Sequence, residues 1–330
     1  MAIAWGTALA SRRAFCLLSI AAGPLLAATP ASGRRQLGVL LFDSPLIWAS
    51  IVEELRTALA SLGWREGVNM DIEWRYAEGD ASRLSSLAAE LGRSGAEVIM
   101  PRGTPATSAL QQATKTVPIV TGVGDPIGHG FAASLAAPGG NITGLSWAEV
   151  EVSTKRVELL RELVPRLEDL TIVFPSRLRD LAVDATRAPE LAAKGLGIKT
   201  RVMLVGSIAE LRSALRGVSS GQRHAAYLFG IADIAPHDIA DSALQAGTAT
   251  MFPDRVFVDG GGLISYRLDW VDQTLRTAVQ IDKLLRGADP ARMPFELPTH
   301  SDLALNARTA KALGIHVPHA LLIRADKIFQ

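Results

Sequence analysis

The sequence predicts an α/β protein built on parallel, doubly wound sheets, and three features carry that expectation. Apolar runs such as residues 98–100 and 117–120 are too short for helices and are soon followed by Gly or Pro, as buried parallel strands are. Between such runs lie segments of helical length whose apolar residues fall on one stripe. From Gln36 onward the two signals alternate, which is the pattern of a sheet wound by crossover helices.

Taken in order, residues 37–42 read as the first strand. Ser44-Pro45 then supplies a capping residue and a proline for a helix that carries Ile51, Leu55 and Leu62 on one face and stops at Gly63. Residues 69–76 alternate like a strand, and Asp80 caps a helix with Leu84, Leu87, Ala88 and Leu91 on its stripe. After the strand at 98–100, Thr104 is expected as a helix N-cap, with Pro105 in the first helical position and the helix over 106–114. Residues 142–146 form the strand that leaves this first half.

The second half repeats the arrangement. Helices are expected over 149–164, 181–196, 208–218 and 234–246, and strands over 170–174, 198–204, 225–229 and 249–252. Residues 263–266 then precede a long amphipathic helix carrying Val271, Leu275, Ala278, Val279 and Leu285, and a last helix is expected over 303–313. No close sequence repeat relates the halves, so residues alone leave a single continuous domain as a rival to two lobes.

Function is expected where the strands at 98–100 and 117–120 end. A helix starting at Thr104-Pro105 leaves backbone N–H groups free at the carboxyl edge of a sheet, where open α/β folds hold anions and small ligands. The loop Gly122-Val123-Gly124-Asp125-Pro126 offers a carboxylate at the same edge. Donors beside an acid suit both ends of a zwitterion. Taken singly, Thr-Pro is an ordinary cap and Asp-Pro an ordinary turn.

Other chemistries lack their residues. The six His show no HExxH or His-x-His spacing, and there is no G-x-S-x-G elbow or P-loop. Gly122-x-Gly124 fails as a dinucleotide fingerprint because the third glycine position is Ile127. No catalytic residue, metal or cofactor is expected.

The first 33 residues read as an export signal: Arg12-Arg13 precede an uncharged apolar run from Cys16 to Ala28, too short to span a bilayer as an anchor. A twin-arginine and a Sec signal both fit. Removing it takes away the only Cys and leaves 32 of the 34 basic side chains against 33 acidic ones. That balance, with no basic run, argues against a nucleic-acid partner. The ~295 residues left suffice for two cores.

The run GTPATSALQQATKTVPIV, followed by GDPIGHGFAASLAAPGGNITG, resembles the signature of ABC-transporter substrate-binding proteins of the tryptophan/tyrosine type. The resemblance continues through SLGWREGVNMDIEWRYAEGDASRLSSLAAEL upstream and GGLISYRLDWVDQ and NARTAKALGIHVP downstream. It implies a type I periplasmic binding protein fold, with two Rossmann-like doubly wound lobes joined by a hinge. Lobe 1 is expected over 34–145 plus about 266–290, and lobe 2 over 146–265 plus about 291–330.

Carried onto this chain, the resemblance implies a ligand carboxylate against Gly103, Thr104 and the Pro105 helix, from the Ala106 N–H onward. Asp125, with Pro126 beside it, is expected at the ammonium, and Phe42, Ser44 and Asn141 in the same mouth. The second lobe is expected to bring Ser176, Gly230, Tyr266 and Asp269, with Tyr266 and Trp147 as stacking surfaces. Asp269 and Trp147 also have plain roles open to them, as a helix cap and as hinge packing. Pro175-Ser176, Arg267 and the Gly230-Ile231-Ala232 loop depart from the family pattern, so the scaffold is better supported than the ligand.

The function so implied is that of a periplasmic solute-binding protein of an ABC importer. It would take an aromatic or other amino acid, deliver it to an inner-membrane permease, and act as a monomer. A module reporting to a membrane sensor and an exported α/β enzyme stand as alternatives.

Overall fold

Alternating burial builds the first sheet. In β1 (Arg35–Leu41), Leu37, Val39 and Leu41 pack on one face and Leu40 on the other. Four more strands, β2 (Met70–Tyr76), β3 (Val98–Pro101), β4 (Ile119–Val123) and β5 (Ile142–Ser146), complete a parallel sheet of order β2-β1-β3-β4-β5. Parallel neighbours need crossovers, here supplied by α1 (Pro45–Ser61), α2 (Leu84–Leu91) and α3 (Thr104–Ala113). The structure is a computed structural model and describes residues 33–216, 223–231 and 234–330. The expected export signal lies, but for Gly33, outside the described residues.

The second sheet has seven strands in the order β12-β11-β10-β9-β8-β6-β7. Those from β6 (Asp169–Pro175), β7 (Lys199–Val205), β8 (His224–Leu228), β9 (Ala249–Phe252) to β10 (Ile264–Leu268) run parallel. Helices α4 (Glu149–Leu163) and α5 (Ala182–Gly195) pack against each other on one face. On the other lie α6 (Ile208–Arg216), α7 (Pro236–Gln245) and the short α8 (Val256–Asp259).

Chain direction reverses only at the edge of this sheet. β11 (Ser301–Asn306) pairs antiparallel with β10, and after α10 (Ala307–Ala312) and α11 (His319–Arg324), β12 (Lys327–Phe329) pairs with β11. The helix expected over 303–313 is therefore corrected to a strand followed by a one-and-a-half-turn helix. Leu303 and Leu305, two apart and in the same core cluster, keep a strand period, and pairing with β10 holds them in it.

Three segments join the two sheets. β5 leads through Trp147 and Ala148 into α4, and Ala148 takes the left-handed conformation, φ 47° and ψ 48°, with its N–H bonded to Ser146 Oγ. β10 leads through Asp269 into α9 (Trp270–Leu285), which packs with α1 on the first sheet. The chain then returns past Glu296, whose backbone bridges Gly144 and Ser146, to reach β11. β10 stays in the second sheet as far as Leu268, so the second crossing falls a few residues after the expected boundary at 265/266.

Candidate functional site

In each parallel sheet all the strand-to-helix loops leave the carboxyl edge, so polar residues just past strand ends gather there whatever their distance in sequence. At the first sheet this edge carries Phe42, Asp43 and Ser44 after β1, Arg102 to Pro105 after β3, and Trp147 after β5. Gly103, at φ 86°, is the N-cap of α3; its carbonyl accepts from the Thr107 N–H and Oγ1, and its N–H donates to Gly122 O. This moves the expected cap back by one residue: Thr104 already lies inside the helix, with Pro105 after it in the first turn. A residue with positive φ can close the tight step from strand to helix at little cost only if it is Gly. The N–H groups of Thr104 and Ala106 lie in the first turn, where a helix offers them no internal acceptor.

Arg102 is the residue that the sequence did not single out. Its side chain follows Val98 and Met100 on the strand face that packs against α1 and α9. There its guanidinium carbon lies 5.3 Å from the ring centre of Trp48, 5.6 Å from Trp147 and 5.0 Å from Trp270. Trp147 and Trp270 meet edge to face at 5.4 Å. Each cation–ring contact is worth about 0.5–2 kcal/mol, more where water is excluded. Burial pushes the Arg102 pKa down to about 10, against the through-space pull of Glu54, so it stays charged at neutral pH. Among the described residues no side chain forms a hydrogen bond or ion pair with this guanidinium. The cage was hidden because its rings come from α1, the first crossing and the start of α9. A lone cation closing the apolar strand VIMP was the only local signal.

The carboxyl edge of the second sheet is aromatic on one side and charged on the other. Phe229, just past β8, lies 5.1 Å from both Phe174 and Tyr227, and Phe229 and Tyr266 pack half-buried on the same apolar cluster. Arg267 pairs with Asp302 at 3.0 Å, and Arg255 reaches the same carboxylate at 3.3 Å. The unusual Arg267 is thus neutralised. Underneath, buried Arg156 donates to Tyr227 Oη at 2.6 Å and to the Tyr266 carbonyl at 2.7 Å, and stands 3.6 Å from Glu149. Burial pushes the Glu149 carboxyl above the usual carboxylate range, against Arg156 and a hydrogen bond from Ser153.

The two edges meet. Asp43, past β1, and Arg177, past β6, form an ion pair of 3.3 Å between the lobes. Ser176 stands beside Arg177, close against Gly206 at the end of β7, and Gly230 lies against Phe257. Asp269 Oδ1 accepts from the N–H groups of Val271 and Asp272, the helix cap that sequence offered as its plain role. Tyr266 Oη is hydrogen-bonded by Ser301 Oγ at 2.8 Å.

Two expected ligand contacts stand differently. Asn141 precedes β5, so it lies at the amino edge of the first sheet, opposite the cleft, where its amide donates to the Val117 carbonyl at 2.8 Å. It ties the turn before β4 and cannot line the mouth, which corrects its placement. Asp125 is at the carboxyl edge, but its Oδ1 accepts the Gly128 N–H at 2.8 Å, holding its own turn, while Pro126 is buried beneath.

Two facing α/β lobes with polar and aromatic strand ends between them define a two-lobed solute-binding class. Residues 45–329 match the ABC transporter substrate binding protein family, and the chain belongs to it. A conserved domain protein from Vibrio cholerae superposes with a TM-score of 0.75 at 26% identity, covering 89% of this chain and 99% of its own. The ABC domain in complex with L-Trp from Streptococcus pneumoniae gives 0.74 at 25%, covering 90% and 100%. A tyrosine-binding protein from Clostridioides difficile is 31% identical over 119 residues, 36% of this chain, and the match spans only 34% of that relative's length. These likenesses support the expected type I periplasmic binding protein fold. Among the described residues no helix is long and apolar enough to cross a membrane.

Proposed function

We propose that this chain is the periplasmic solute receptor of an ABC importer. It takes a small organic solute, an aromatic amino acid first among candidates, into the cleft between the sheets and presents it to an inner-membrane permease. The observation that carries the reading is the convergence of both carboxyl edges on one cleft, with the Asp43–Arg177 pair bridging it. Aromatic ligands are favoured by the L-Trp held by one structural relative and the name of the tyrosine-binding one. Ser44, the first turn of α3 at Thr104 and Ala106, and the Phe229–Tyr266 wall are the proposed lining. Binding and delivery require no catalytic group, and the two lobes act as one receptor in a single chain.

A thermal-shift screen against amino acids, aromatic acids and small metabolites tests this, because binding to the native state alone raises the melting temperature. A saturable shift with tryptophan, tyrosine or phenylalanine is the expected result. No shift with any solute of the panel would count against the receptor role.

Closure should also depend on the bridge. Replacing Arg177 with Ala removes a half-exposed pair worth about 0.2–1 kcal/mol, so calorimetry should show ligand affinity falling by up to roughly fivefold with the melting temperature nearly unchanged. An unaltered affinity would make the pair incidental to closure.

A further inference from the structure

The geometry points to Arg102 as the anchor for a carboxylate of the ligand, so that the cleft selects small carboxylates whether or not they carry an amino group. This deepens the receptor reading above and rests on it.

Arg102 stands at the carboxyl edge of the first sheet, just past β3, against a ring at each of two lobe crossings: Trp147 follows β5, and Trp270 opens α9. Three indole rings answer its charge but offer no oxygen acceptor, and a guanidinium carries five N–H donors. The residue is only partly buried as a whole while its head group is largely desolvated. Glu54, its opposing carboxylate, acts through space without an ion pair. A rigid, dehydrated, charged fork with its donors unfilled is the arrangement in which an incoming carboxylate gains most, by charge-assisted and often bidentate bonds.

The neighbouring cations are already engaged. Arg177 holds Asp43, Arg255 and Arg267 share Asp302, and Arg156 is bonded to Tyr227 and Tyr266. Two of the acids are engaged as well: Asp125 holds the Gly128 N–H and Asp269 caps α9. An anion therefore finds an open partner in Arg102, whereas Asp125, the acid expected at the ammonium, is committed to its own turn. A purely structural Arg102, which only steadies the three rings at the crossings, would give no preference for acids over amines.

The test uses three probes that share one ring: L-tryptophan, indole-3-propionate, which lacks the amino group, and tryptamine, which lacks the carboxylate. Calorimetry on the wild type should show the two acids binding at least about tenfold tighter than tryptamine. In Arg102→Gln that preference should disappear, and in Arg102→Lys, which keeps the charge without the fork, it should be reduced. Circular dichroism and thermal unfolding check that the variants are folded, and the Lys variant carries the test if Gln does not fold. Tryptamine binding the wild type as well as the acids do, or Arg102→Gln retaining the acid preference, would overturn the inference while leaving the receptor reading intact. A wild type that binds none of the three would overturn the aromatic-solute reading itself and this inference with it.

Discussion

Replacing Gly144 with Ala should destabilise the protein by about 3 kcal/mol or more, the upper end for forcing an extra carbon into a packed interior. Gly144 lies in β5 at φ 146°, directly beside Thr121 of β4, and a methyl group there would overlap the Thr121 carbonyl oxygen and lie 2.7 Å from its nitrogen. No rotamer relieves that overlap, because both partners are backbone. The two strands would have to separate where the Gly144 carbonyl also accepts from Glu296 N and Gln280 Nε2. Chemical denaturation of the variant and the wild type reads the difference, and equal midpoints would show that the strands are not so closely apposed.

A second large effect is expected at Arg156, which is 6% exposed and fastens α4 to β8 and β10. Replacing it with Met fills much of its volume but leaves the Tyr266 carbonyl, the Tyr227 hydroxyl and the desolvated Glu149 without their partner. Breaking a buried charged network on one side costs about 3–5 kcal/mol. The loss should depend on pH. The Glu149 pKa is already raised in the folded protein, first by desolvation, so the unfolded chain ionises it earlier than the folded one does. Its unfavourable contribution is absent below the unfolded value of about 4.3 and grows as pH rises towards the folded value. Without Arg156 the folded value climbs further, so Arg156→Met should lose stability more steeply above pH 5 than the wild type. Thermal unfolding from pH 4 to 8 measures this; parallel curves for the two proteins would contradict it.

Much of the fold was legible because its central strands are buried on both faces and its helices on one, so period and length separate them. The run at 170–174, apolar but for Thr171, became β6, and the stripe of Leu84, Leu87, Ala88 and Leu91 became α2. The last segment was misread because the short strand Ser301 to Asn306 runs straight into a helix at Ala307, and the two-residue spacing of Leu303 and Leu305 that marks the strand is secured by long-range pairing with β10. Asn141 was misplaced for a different reason. A Gly-Gly-Asn turn shows that a strand is near but not which end of it, and the parallel register puts Asn141 at the start of β5. The candidate site was legible only where one loop holds its parts, as in Gly103 to Ala106. Arg102 gains its meaning from three indoles in distant segments, and no spacing in the sequence announces that they converge.

The cleft between the two carboxyl edges should bind a small solute, and a calorimetric titration of the purified protein with L-tryptophan reads this in one experiment. Binding at one site per chain, with the negative heat-capacity change that follows burial of apolar surface, is the predicted result. A flat titration with L-tryptophan, repeated with tyrosine, phenylalanine and their deaminated acids, would contradict it.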